Sequence, residues 1–152
     1  MLDLKGVAMN DQELLENFED LSLPFKEWTH RAHVRIAYLY LKEHGLDEGI
    51  DRIRRGIQAY NAANDVPEGP LSGYNETTTV AFSTIVHAVL NAYAESHAVG
   101  SSEEFCDMHP QLLSKHILRF FYTPERRIVP EAKKKFVEPD LAPLPKLPLS
   151  ST

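Results

Sequence analysis

The run from Glu76 to Ala98, ETTTVAFSTIVHAVLNAYAESHA, constrains the fold more than any other part of the chain. Val80, Phe82, Ile85, Val86, Val89, Leu90 and Tyr93 make it apolar nearly all round, so a helix built from it must be surrounded by other elements. Neighbouring segments offer partners at helical spacing. Leu14, Leu15, Phe18 and Leu21 recur before Pro24; Ala32, Ile36, Leu39 and Tyr40 recur after Thr29, a fitting N-cap. Gly45 is expected to stop that helix, and Leu46, Ile50, Ile53, Ile57 and Tyr60 form the stripe of an antiparallel successor, with Arg52, Arg54 and Arg55 off the stripe. VPEGPLSGYN must be a loop, so the central helix starts near Asn75 or Glu76. A serine cap in GSSEEF opens a short helix, and Pro110 divides it from LLSKHILRFFY, another apolar helical stretch.

These elements predict an all-α fold: one domain over 1–152, with a bundle of five or six helices over 10–122 and an extended proline-rich C-terminal strap over 123–152. A chain of 152 residues buries about two-thirds of the surface exposed by its unfolded form, enough for a core without disulfides. Four of the ten prolines fall between Pro139 and Pro148 and prevent a helix there. Leu141, Leu144, Leu147 and Leu149 fit a strap packed across the bundle, the preferred reading, or a free proline-rich ligand for a partner protein.

Sixteen basic against 22 acidic residues give a net charge of -6, which argues against a general nucleic-acid binder. EAKKKF, from Glu131 to Phe136, reads as a solvated charge run. A single cysteine, Cys106, has no intrachain disulfide partner, so a reducing compartment is expected. With no apolar run of signal-peptide or membrane-spanning length, a cytoplasmic address and no membrane partner are expected; a homo-oligomer is left open.

Candidate chemistry begins in WTHRAHVR, where His30 and His33 stand three residues apart at the start of a helix, within reach of one ion. In GYNETTT, Glu76 emerges at the mouth of the central helix, although the helix dipole alone also favours an acid there. Two histidines and a carboxylate match the ligand sets of hydrolytic zinc sites and of open-sided iron oxygenases. His87 follows Glu76 by eleven residues, about 16 Å along a straight helix, too far to share its ion. His116 is a reserve ligand or acid/base, while His44, His97 and His109 read as caps and surface. Thr77, Thr78 and Thr79 can cap the helix or support a ligand. No G-x-S-x-G elbow or glycine-rich phosphate loop is present, and Cys106 lacks a nucleophile signature.

WTHRAHVR, GIQAYNAAN, GYNETTT and FVEPDLAPLP together resemble a family of small, mostly uncharacterised microbial proteins with the patterns W-T-H-x-A-H-x-R, G-Y-[HN]-E-T and V-x-P-D-L-x-P-L-P. The resemblance spans nearly the whole chain and implies a shared site on Trp28, Thr29, His30, His33, Tyr74, Glu76 and Thr77. In that family the residue before the glutamate is frequently histidine, where this chain has Asn75. If three imidazoles hold a metal in the family, this chain has lost one; if Glu76 is the third ligand, Asn75 orients substrate instead.

The leading expectation is a small-molecule enzyme with one divalent metal (zinc, iron or copper) on His30, His33 and Glu76. The metal would act as Lewis acid, hydroxide source or oxygenase centre, with Tyr74 or Asn75 positioning the substrate. Two alternatives stand beside it: a metal-free isomerase or cyclase using the same residues as acid and base, and a non-enzymatic binding or scaffold protein.

Overall fold

In the computed structural model, which describes residues 9–146, the chain folds as a single all-α domain. Its helices are α1 (Asp11–Glu19), α2 (His30–Ala63), α3 (Glu76–Tyr93), α4 (Ser102–Met108), α5 (Pro124–Ile128) and α6 (Pro130–Lys134). Among the described residues no helix is long and apolar enough to cross a membrane.

Local chemistry sets most of the helix starts. Asn10 caps α1 in a reciprocal box with Glu13, while Thr29, Asn75, Ser101 and Thr123 cap α2, α3, α4 and α5. α2 is two arms rather than one rod. Gly45, at φ 81° and ψ -175°, breaks its helical geometry, and the second arm returns along the first. Trp28 meets Tyr60 with ring centroids 5.3 Å apart, and a Cβ placed on Gly49 would lie 3.1 Å from the Leu41 Cα. Farther along, a Cβ on Gly56 would fall 2.5 Å from the Phe18 ring. Glycine at these two positions lets the arms and α1 approach closely.

α3 lies against this hairpin and buries Thr77, Ala81, Ser83, Ile85 and Val86. It ends at Tyr93 rather than near Ala98, and its Val80, Phe82, Val89 and Leu90 are only partly buried. LLSKHILRFFY is not an α-helix. Ser114 is extended and splits it into 3-10 segments at Pro110–Leu113 and Ile117–Phe120, and Phe120 is exposed, so no continuous apolar face exists to dock a longer helix. His109, expected at the surface, is buried at 3% exposure between Tyr93 and Phe105, with ring centroids at 4.8 and 4.9 Å.

The stretch expected to be extended from residue 123 begins instead with α5 and α6. Pro124 and Pro130 each occupy a helix first turn, where the missing N–H costs nothing. Beyond α6 the chain is extended. Thr77 Oγ1 accepts from Val137 N at 3.1 Å and donates to the Lys135 carbonyl at 3.0 Å. Asp140 receives both the amide and the hydroxyl of Thr123, and Leu141 N donates to the Phe121 carbonyl. Leu144 packs on the core, Leu141 is exposed, and Leu147 and Leu149 lie outside the described residues.

Candidate functional site

Thr29 sets the orientation of the histidine pair. Its hydroxyl caps α2 by accepting from Ala32 N, and its carbonyl accepts the Nδ1–H of His33 at 2.7 Å. That bond fixes the His33 tautomer and leaves Nε2 as the nitrogen with a free lone pair. The imidazole stacks on the Trp28 indole at 3.7 Å between ring centroids. Desolvation by these neighbours outweighs the Thr29 bond, and with a smaller push from His30 it lowers the His33 pKa to about 4. His33 is therefore the neutral imidazole at physiological pH. His30 donates Nε2–H to the Leu112 carbonyl at 2.9 Å, leaving Nδ1 as its other polar atom.

Both rings line one cavity of about 280 Å³. α2 contributes Ile36, Ala37, Ile53 and Ile57, α3 contributes Thr78, Thr79, Phe82 and Ser83, and Lys115, Leu118 and Arg127 complete the wall. No aspartate or glutamate lines it.

Glu76 belongs to a different place. Arg54 grips its carboxylate at two points, Nε to Oε1 at 2.9 Å and Nη2 to Oε2 at 2.7 Å, and the Tyr74 hydroxyl donates to Oε1 at 2.6 Å. Burial works to raise its pKa, but these hydrogen bonds and the Arg54 charge prevail and hold it below the usual carboxylate range. Reciprocally, Arg54 is raised by the Glu76 bond, and Tyr74 by burial and then by Glu76. The triad lines a larger cleft of about 880 Å³ with Gln58, Asn61, Lys133 and Lys134. The second arm of α2 separates the two spaces: Ile53 and Ile57 face the histidines, while Arg54, Gln58 and Asn61 face Glu76.

The structure thus brings His30 and His33 together and does not bring Glu76 to them. Among the described residues no three of His, Cys, Asp and Glu form a group able to hold a metal. Two imidazoles sharing an ion at a tetrahedral angle have ring centres about 5.2 Å apart, from a metal–nitrogen bond of about 2.1 Å and the ring radius. The His30 and His33 centroids are 6.5 Å apart, a spacing that fits only a nearly linear pair.

Asn75 caps α3 by accepting from Thr78 N and donates Nδ2–H to the Arg127 carbonyl at 3.0 Å. Thr78 Oγ1 in turn accepts from Arg127 Nη1 at 3.2 Å. Arg127 is the residue that sequence reasoning missed. Inside TPERRIVPE it reads as one more solvated charge, and no local pattern announces that it faces the histidine cavity. Of the remaining histidines, His87 is partly buried beside Asn91, and His116 is exposed. Burial pushes the Cys106 thiol up to about 11, which keeps it protonated and unreactive.

No family model, no curated protein and no solved structure matches this chain.

Proposed function

We propose that this protein is a small-molecule enzyme in which the histidine cavity performs metal-free proton transfer. One observation carries the reading: the His33 Nδ1–H is committed to the Thr29 carbonyl, which leaves Nε2 as the acceptor of a ring that lines the cavity. A substrate C–H or O–H proton would pass to Nε2, giving an imidazolium held by the Thr29 carbonyl, and return to a neighbouring atom of the same molecule. Isomerisation and cyclisation share this step; in an elimination the imidazolium would instead hand the proton to the departing group as its bond to carbon breaks. His30, fixed on Leu112, stands as the second polar ring. Glu76, tied to Arg54 and Tyr74, supports the neighbouring cleft rather than this step.

The metal-dependent reading keeps one specific support. Each histidine donates one ring N–H to a backbone carbonyl and leaves the other nitrogen open, the arrangement that orients metal-ligating imidazoles. Substrate or water oxygens would then supply the ligands that Glu76 does not.

Deuterium uptake from heavy water into a panel of small carbon acids, followed by proton NMR, separates the readings. Uptake that survives chelator and is lost in His33→Asn is the expected result. Uptake abolished by chelator and restored by zinc or iron would support the metal reading. Uptake by neither route leaves a binding role.

A further inference from the structure

The histidine cavity has an unusual charge for an acidic protein. In a chain of net charge -6 its lining holds Arg127 and Lys115 and no acid. Arg127 makes no ion pair among the described residues; its side-chain bond is to Thr78 Oγ1. Its Nε is sealed from solvent and has no hydrogen-bond partner. An unpaired guanidinium is costly where it is half-buried, and structures normally pair such groups. Elsewhere this fold does so: Arg54 has Glu76 and Asp51, and Arg35 has Asp11 and Glu103.

We infer that Arg127 is the anchor for the carboxylate of a small, largely apolar organic acid whose body lies against Trp28, Ile57 and Phe82. With Nε sealed and Nη1 on Thr78, Nη2 is the guanidinium nitrogen left without a bond, and its N–H is the charged donor that a carboxylate oxygen would meet. The single guanidinium, with Lys115 exposed, suits one negative charge better than a phosphate dianion. Most of the remaining lining, with Ile36, Ala37, Ile53, Ile57, Phe82 and Leu118 beside the hydroxyls of Thr79 and Ser83, is apolar and matches a hydrocarbon or aryl body better than a sugar. Asn75 and Thr78 position Arg127 through its carbonyl and its Nη1, which gives the GYNETTT segment a part in the site without placing Glu76 there.

This inference names the substrate class for the proposed proton-transfer site and therefore rests on the same cavity, but its test reads binding alone. Trp28 is the only tryptophan and lines the cavity, so its fluorescence reports occupancy directly. The full chain is titrated with butyrate, benzoate, phenylacetate and indole-3-acetate, with the corresponding neutral amides, and with inorganic phosphate. At least one carboxylate should bind tenfold or more tightly than its amide, Arg127→Met should erase that preference, and Arg127→Lys should keep part of it. Equal binding of acid and amide, no carboxylate binding up to 10 mM (about 2.7 kcal/mol of binding free energy), or preference for phosphate would each overturn the inference. The wild-type comparison of acid with amide stands even if Arg127→Met fails to fold. Carboxylate binding without deuterium exchange would sink the catalytic reading and leave the anchor intact.

Discussion

The side-chain amide of Asn75 donates to the Arg127 carbonyl at 3.0 Å, while its Oδ1 caps α3 through Thr78 N at 2.9 Å. One residue thus starts the central helix and fastens the segment that carries the cavity's guanidinium. Asn75→Asp keeps the acceptor and loses the donor; Asn75→Ala loses both. Alanine should cost about 1–2 kcal/mol from the lost cap, read by urea unfolding. Aspartate should cost less stability than alanine yet weaken carboxylate binding as much. Equal stability losses in the two variants would contradict the cap assignment.

Arg35, the last residue of the WTHRAHVR pattern, acts on the fold rather than in the cavity. Its side chain is 6% exposed and donates to Ser102 Oγ and the Met9 carbonyl, both at 2.7 Å, while pairing with Asp11 at 3.2 Å and Glu103 at 3.3 Å. Arg35→Ala should lose about 3–5 kcal/mol of unfolding free energy, because it strands the buried end of Asp11. For Asp11 itself, burial raises the pKa, but bonds from Ser102 and Arg35 prevail and hold it below its ordinary 3.8. A depressed folded-state carboxylate stabilises above the unfolded value and ceases to as pH falls through the folded one. The acid limb of the stability profile should therefore flatten below about pH 4 in Asp11→Asn.

His33 offers a second, separate pH window. Desolvation lowers its folded pKa to about 4, from an ordinary 6.5. As pH falls below 6.5 the unfolded chain takes up a proton that the folded chain refuses, so stability declines from pH 6.5 down to about 4 and then levels for this group. Histidine ring NMR should show one imidazole that stays neutral at pH 5 and keeps its proton on Nδ1. His33→Asn should remove that share of the pH 4–6.5 slope. A His33 resonance titrating near 6.5 would refute the desolvated state.

Glu76 and His33 give opposite expectations for metal. Elemental analysis after gel filtration, with zinc or iron supplied during growth, should show any bound metal lost in His33→Ala and retained in Glu76→Gln. Metal lost equally in both would restore the three-ligand set of His30, His33 and Glu76. Glu76→Gln should still cost about 1–2 kcal/mol of stability, since Arg54 and Tyr74 lose a charged acceptor.

The resembled motifs divide by role in the same way. From WTHRAHVR, Trp28, His30 and His33 line the cavity, whereas Thr29 caps and Arg35 clamps α1 and α4. From GYNETTT, Thr78 and Thr79 reach the cavity, while Tyr74 and Glu76 turn to Arg54 and Thr77 holds Val137. In FVEPDLAPLP, Val137 is buried and Asp140 holds Thr123. Motif membership alone does not separate these tasks, because a buried ion pair and a reactive group draw on the same residue types.

What the sequence determined by itself is local: helix identity from the spacing of Leu14, Phe18, Ile53, Ile57, Ile85 and Val86, starts at Thr29, near Asn75 or Glu76 and at a serine of GSSEEF, and the break at Gly45. Each depends on residues within a few positions of one another, through periodicity, capping or backbone freedom. The tertiary structure alone decided which polar groups meet. Whether Glu76 faced His33 or Arg54 depended on which face of the second arm of α2 the start of α3 meets, and that face carries Arg54 rather than Ile53 and Ile57. Arg127, fifty-two residues from Asn75 along the chain, enters the site only because the tertiary fold brings α5 to the start of α3.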